Sequence, residues 1–437
     1  TIKIKGNPLV FNSYLNNDQF FFNEGKFELD VNYTGEAFSL ENIISDGEMT
    51  LSIDSSFVLY EPLSVTFPLT NIGLSVKKNI AKYSILMQSD TLNQEIKFDG
   101  KVQNISEIIV EDTGKPVRTT SNIYSPRVTW KNFIDIFSTD STQMDIPIDT
   151  VKTQPKTSTG KFCQLLYRFS PDIIMRFDTL EYSNELCVHD FSTELSLVDS
   201  VFYISDSKFE YRGSDVLMNS VIHLSDDIDS IDAKLNATTI DIENLITDLE
   251  ELTKKDLSSI NYISGTLDFD ANISQYYRAS DQLIDTTING DLNFTISDLI
   301  IDEAPWMEKI GRKLLQPNRF KNVRFAPISN QLTFRNDSLY IPLMEIQSTA
   351  FDVFVDGHYH SDHPNVWLSL PLFNLKERDI SVIPKKEGFA RRKMKLHFEY
   401  AMHNKAKPNV KLRLSKRKFY KDRGQLDLWK KIRKSKK

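Results

Sequence analysis

Apolar and polar side chains alternate with a period of two residues in many segments of this 437-residue chain. In 27–33, Phe27, Leu29 and Val31 alternate with acidic and amide residues, and the same pattern recurs at 49–53, 267–273 and 292–296. Because successive side chains of a β-strand point to opposite faces, the pattern predicts half-buried strands with one dry and one wet face. Gly, Asn or Asp stands before many of these runs, as is typical of turns.

The sequence therefore predicts a mainly β protein with a few short helices. Helical spacing of apolar residues is confined to 132–137, 241–252, a segment that opens at Pro305, and 425–434. Alternation shows only that one face is dry. That face could pack on a second sheet, as in a β-sandwich, or line an open channel, and the residues alone favour the sandwich.

Composition excludes several classes of protein. Hydrophobic residues make up 40% and charged residues 26%, which is ordinary for a globular protein and argues against a disordered, collagen-like or polytopic membrane chain. No apolar run approaches the roughly 18 residues that a membrane-spanning helix needs. The first residue is Thr1 and no signal-peptide pattern follows it, so we expect a processed protein or an excised soluble portion.

Charge is divided unevenly along the chain. Residues 384–437 hold 21 Lys and Arg against four Asp and Glu, whereas the first 383 residues hold 32 against 56. A polar, Thr-rich stretch at 149–160 suggests another division. We predict an N-terminal β region over 1–150, a second β region with short helices over 151–383, and a basic amphipathic segment over 384–437.

The basic segment indicates an anionic partner. Its alternating runs at 394–402 and 410–414 predict strands with one cationic face, and its C-terminal apolar residues suit a bilayer interface. Anionic lipid headgroups at a membrane surface fit best. Nucleic acid is not a predicted partner, because the acidic body would repel it and no reader motif is present. The headgroup candidates are Lys411, Arg413, Lys416, Arg417, Lys418, Lys430, Lys431, Arg433 and Lys434.

Motifs of the common enzyme classes are absent, so we predict no catalytic residues, no cofactor and no metal. A carbohydrate-active enzyme is a weaker option that would need two carboxylates across a cleft. His358, His360 and His363 resemble a metal cluster but are expected on a surface turn. The acidic residues at 226–232 lack the spacing of a calcium loop. Cys163 and Cys187 could form one bridge in an oxidising compartment, although two unlinked thiols are favoured.

The stretch from Asp172 to Leu370 resembles the C-terminal region of AsmA-like proteins, the AsmA/TamB group of the Gram-negative envelope. The resemblance lies in strand and turn patterns at 208–215, 235–246, 289–302 and 336–348, and in strand starts at Gly265 and Gly290. It implies a long, strongly curved, mostly antiparallel sheet whose apolar face forms a groove for acyl chains. It also implies a periplasmic body, an inner-membrane helix upstream of this chain, and a role in phospholipid transport or outer-membrane homeostasis.

A groove needs no polar motif, since each buried CH₂ contributes about 0.8 kcal/mol. We therefore predict a non-enzymatic protein that binds or bridges lipid between membranes, with phospholipid or another acyl-chain lipid as ligand and an envelope protein as a further partner. The rival hypothesis is an extracytoplasmic β-sandwich adhesin or scaffold that binds a protein or glycan. The candidate groove residues, which could equally be ordinary core, are Phe27, Leu29, Val31, Leu267, Phe269, Leu292, Phe294, Ile296, Phe351, Val353 and Val355.

Overall fold

The computed structural model confirms a mainly β fold built as a long, open, mostly antiparallel sheet. It divides into two compact units, one formed by residues 1–232 and 276–283 and the other by 233–275 and 284–437. The structure describes residues 1–13, 20–34, 39–60, 65–89, 94–106, 117–130, 171–183, 186–198, 201–223, 228–253, 256–278, 288–313, 317–336, 338–360, 365–371, 395–401 and 409–413. The divisions predicted near residues 150 and 384 fall outside these ranges.

In the first unit each strand pairs with the next one along the chain. All pairs are antiparallel except β7 with β8, which are parallel. A parallel pair needs a crossover connection, and residues 130–170 separate these two strands. The strands are β1 (Ile2–Gly6), β2 (Phe20–Asn32), β3 (Glu48–Tyr60), β4 (Val65–Lys77), β5 (Ile80–Ser89), β6 (Gln94–Gln103), β7 (Arg118–Thr129), β8 (Pro171–Glu181), β9 (Cys187–Val198), β10 (Val201–Tyr211) and β11 (Ser214–His223). The boundary between the units lies within β12 (Ile228–Asp241).

The second unit repeats the antiparallel ladder. β14 pairs with β13 on one side and with both β15 and β16 on the other, and the later strands follow in chain order. The strands are β13 (Ile263–Arg278), whose last residues belong to the first unit, β14 (Asn289–Asp302), β15 (Asn322–Arg324), β16 (Ile328–Arg335), β17 (Ser338–Gln347), β18 (Asp352–Tyr359), β19 (Asn365–Pro371), β20 (Lys395–Ala401) and β21 (Asn409–Arg413).

Three α-helices interrupt the described strands: α1 (Leu40–Asp46), α2 (Ile242–Thr253) and α3 (Pro305–Lys313). The predicted helices at 241–252 and from Pro305 are confirmed, whereas those at 132–137 and 425–434 lie outside the described residues. Helix α1 was not predicted from the sequence. Its N-cap is Ser39, whose hydroxyl accepts a hydrogen bond from the Asn42 backbone N–H at 3.2 Å. Short 3₁₀ segments lie at Pro8–Ser13, Ser258–Ile260 and Pro317–Phe320.

Candidate functional site

A row of half-buried residues crosses the apolar face of the first unit, perpendicular to its strands. Leu29 on β2 pairs with Leu51 on β3, and the pairing continues strand by strand to Ile204 on β10. Directly paired residues share a face of the sheet, so the row is continuous. We call it the half-exposed row, and its nine members are Leu29, Leu51, Leu74, Tyr83, Gly100, Ser121, Ile173, Leu195 and Ile204.

Buried residues flank much of the half-exposed row on both sides. On one side Val76 and Ala81 are 0% and 2% exposed and form a cluster with Ile44 of α1. On the other side Ile53 and Phe177 belong to the main core cluster of the unit. The partial exposure is therefore confined to the row and does not extend to the buried residues on either side of it. All strands that the structure describes belong to one sheet, whereas a sandwich is built from two.

The row contains one polar position. Gly100 leaves a gap that the ring of Tyr83 fills, since a Cβ at residue 100 would lie 2.5 Å from Tyr83 Cζ. The Tyr83 and Ser121 hydroxyls share a short hydrogen bond beyond that gap. A tyrosine therefore lies along the row and places a hydroxyl pair beside leucine and isoleucine side chains. The row can thus contact apolar chains along most of its length and a polar group near β7.

In the second unit, five predicted groove residues come together on β13 and β14. Phe269 pairs with Phe294, and Leu267 pairs with Ile296. Leu292 lies two residues before Phe294, on the same face. All five side chains are half-buried. These five predicted groove residues therefore share one face of the sheet.

A buried cluster closes one end of this apolar face. Met307 of α3 and Phe320 are 1% exposed, and Phe294 and Ile296 pack against their cluster. Phe351 stacks on Phe320 with ring centroids 5.9 Å apart. The predicted groove residue Phe351 therefore lies in this closing cluster.

The remaining second-unit candidates, Val353 and Val355, are buried on β18 and pair with Ile346 and Met344. In the first unit, Phe27 and Val31 are buried and Leu29 is half-buried. Six of the eleven candidates are thus half-buried on the two apolar faces, one belongs to the closing cluster and four are buried. The half-exposed row also contains residues that are not among the predicted groove residues. Two of these, Leu74 and Leu195, lie in alternating segments, and that alternation could have identified them as candidates.

The wet face of the first unit carries a shallow depression of about 440 Å³. Two ion pairs lie at its edge, Lys3 with Asp30 at 3.0 Å and Lys5 with Glu28 at 2.9 Å. Its lining is mostly hydroxyl and charged residues from β2 to β5, together with Gly73 and with Leu51, Leu74 and Tyr83 of the half-exposed row.

A buried serine and histidine meet on β19 and β20 of the second unit. The Ser369 hydroxyl lies 2.8 Å from Nδ1 of His397, and both residues are 1% exposed. A substrate cannot reach a pair so deeply buried, so we assign these residues a structural role. Sequence reasoning missed the pair because it depends on the register between two strands.

Of the basic residues predicted to bind anionic headgroups, the structure describes two. Lys411 and Arg413 lie on β21, and the remaining basic candidates lie outside the described residues, as do His363 and Cys163. Within the described ranges, no group of three His, Cys, Asp or Glu residues is placed to hold a metal ion. No helix in those ranges is both long and apolar enough to cross a membrane.

Comparison of the chain with protein-family models, with curated proteins and with solved structures gives no match. The AsmA-like resemblance therefore stays a prediction from the sequence.

Proposed function

We propose that this protein is a non-enzymatic, AsmA-like lipid-binding protein of the periplasm that holds acyl chains on its apolar sheet faces and bridges lipid between membranes. The observation that carries the proposal is the half-burial of Phe269 and Phe294, two large aromatic side chains paired on one apolar face. Apolar side chains that stay partly accessible to solvent on one face supply the kind of area that binding surfaces use.

The chemistry of the faces fits an acyl chain. Covering apolar surface contributes about 25 cal/mol per Å² and requires no directional contact, so any saturated or unsaturated chain can lie on it. A carboxylate placed in the path of the chain would have to lose water without a partner, which costs several kcal/mol. A single charge at the centre of the face should therefore remove the lipid.

The test is purification from envelope expression followed by native mass spectrometry and lipid extraction. We expect near-stoichiometric phospholipid with the wild-type protein and at least a fivefold loss with Phe294→Asp. Asn293→Asp is the matched control, because Asn293 is the preceding residue on the same strand and lies exposed on the opposite face. Circular dichroism and thermal unfolding show whether each variant is folded, and Phe294→Asn repeats the test without a charge.

Two results would contradict the proposal. One is a folded, monodisperse wild-type protein that carries no lipid, which would favour the extracytoplasmic adhesin or scaffold. The other is an equal loss of lipid in the Phe294→Asp and Asn293→Asp variants, which would show that the apolar face is not the site.

A further inference from the structure

Tyr340 stands exposed on the wet face of the second unit. It lies on β17 and is 46% exposed, although its strand neighbours Leu339 and Ile341 are half-buried on the other face. A tyrosine on a polar sheet face leaves a large part of its surface accessible to a ligand. The ring offers a flat, amphipathic surface to a ligand.

Polar side chains flank Tyr340 on both sides along the hydrogen-bonding direction. The Thr333 hydroxyl donates to Oδ1 of Asp291 at 2.8 Å, and the rings of Tyr340 and His358 lie 6.1 Å apart. These contacts show that the paired residues share one face. We call this set the tyrosine row, and it comprises Asn272, Asp291, Thr333, Tyr340, His358 and Asn365.

A second polar row runs beside the first. Asp270 pairs with Asn293, which pairs with Gln331, and all three residues are exposed. Residues two apart on a strand lie about 7 Å from one another, so the two rows form one surface of amide, hydroxyl and carboxylate groups beside the Tyr340 ring.

We infer that this surface binds a neutral carbohydrate chain. A sugar ring presents a face of C–H groups, which the electron-rich face of an aromatic ring attracts, and an edge of hydroxyl groups. Amides, carboxylates and hydroxyls supply both donors and acceptors for such an edge. The tyrosine row places one stacking ring in line with these groups, so that one sugar unit can stack while its neighbours along the chain make hydrogen bonds.

The charges on this surface argue against nucleic acid, whose bases also stack on aromatic rings. Binding to nucleic acid depends on Lys and Arg that neutralise phosphates. Here the exposed or half-buried carboxylates of Asp268, Asp270 and Asp291 share the wet face with Arg335. A neutral chain meets no such repulsion. The surface also lies opposite the apolar face that we propose for lipid, so the two activities are separable.

The experiment is isothermal titration calorimetry of the full chain with cellohexaose, chitohexaose, maltohexaose and laminarihexaose, with polygalacturonate and an oligo(dT) as anionic comparisons. We expect at least one neutral hexasaccharide to bind more tightly than either anionic polymer. Tyr340→Ala should weaken that binding at least tenfold, whereas Tyr340→Phe should retain it within about threefold, because phenylalanine keeps the aromatic face on which the sugar stacks.

Tyr359→Ala is the matched control, because Tyr359 is 49% exposed on the neighbouring strand but pairs with Leu339 on the apolar face. It should bind the hexasaccharide as the wild type does. Absence of binding to all four hexasaccharides, equal binding by Tyr340→Ala and the wild type, or tighter binding to an anionic polymer would each overturn the inference. Lipid content measured on the same Tyr340→Ala protein separates this result from the proposed lipid binding, since it should not change.

Discussion

The ring of Tyr83 occupies the space in which a side chain at Gly100 would stand. The two residues are paired on β5 and β6, and a Cβ at residue 100 would also collide with the Thr120 carbonyl oxygen. Glycine is therefore required at residue 100 because neighbouring atoms leave no room for a Cβ. The backbone of Gly100 is not in the left-handed region, so its conformation does not itself require glycine.

We expect Gly100→Ala to destabilise the protein by about 1–3 kcal/mol, the range for overpacking a close-packed site. Urea unfolding measures the change. Gly73→Ala is the control, because Gly73 also lies inside a strand but its added Cβ would meet only the Ser84 carbonyl oxygen at 3.9 Å. The Gly73→Ala variant should be as stable as the wild type, or more stable by about 0.4–1 kcal/mol, because alanine lowers the conformational entropy of the unfolded chain. Equal destabilisation by both substitutions would contradict the packing account.

Two phenylalanines on the same face should differ in their contribution to stability. Phe177 is 1% exposed in the core cluster, whereas Phe98 is half-buried and packs against that cluster. Phe177→Ala should lower the free energy of unfolding by about 3–5 kcal/mol, and Phe98→Ala should lower it clearly less, because less area returns to water and a smaller cavity forms. Comparable losses in chemical denaturation would mean that Phe98 is ordinary core.

Asp99 should make the protein pH-sensitive in the acid range. A hydrogen bond from Ser84, with help from Lys97 at 2.9 Å, holds the pKa of the Asp99 carboxyl below its usual 3.8. A lowered folded-state pKa stabilises the fold above the unfolded pKa, and this stabilisation is lost as the pH falls through the folded value. Asp99→Asn should therefore be less stable than the wild type at pH 7, by about 0.2–1 kcal/mol for so exposed a pair.

The difference between Asp99→Asn and the wild type should vanish below the folded pKa. Thermal unfolding at pH 7, 5, 3.5 and 2.5 measures it, with Asp172→Asn, an exposed β8 carboxyl, as the control. A difference that does not shrink as the pH falls from 7 to 2.5 would show that Asp99 acts through packing and that its charge is not the cause.

The alternation of residues predicted the strands and the membership of each face, because a period of two directly reflects strand geometry. The alternation in 267–273 and 292–296 predicted which residues of each strand share a face, and the pairing of β13 with β14 brings Leu267, Phe269 and Leu292 onto one face. Alternation could not predict how deeply each residue is buried, since a covered sheet and an open one produce the same pattern. It thus gave no sign that Val355 is buried while Phe294 is half-exposed.

Features that depend on register or on long-range pairing also escaped prediction. The sequence contains Tyr83, Gly100 and Ser121 in three separate runs, and only the pairing of β5, β6 and β7 brings them together. The parallel pairing of β7 with β8 joins segments on either side of residues 130–170, and no local signal specifies it. The helix α1 was missed because seven residues give too short a pattern, although Ser39 supplies a cap.

If the apolar faces hold acyl chains as we propose, the half-exposed row of the first unit should contribute to lipid binding together with the second unit's face. Leu51 lies in the row and is half-buried, whereas Thr50, the preceding residue on β3, is exposed on the wet face. We expect Leu51→Asp to lower the amount of co-purified phospholipid at least threefold, because an unpaired carboxylate in contact with an acyl chain must be desolvated. Thr50→Asp adds the same charge where water can hydrate it and should leave the lipid content unchanged. Lipid extraction with quantitative mass spectrometry provides the measurement, and thermal unfolding shows whether each variant folds. If Phe294→Asp removes the lipid while Leu51→Asp does not, the acyl chain binds to the second unit alone and the half-exposed row does not contribute to lipid binding.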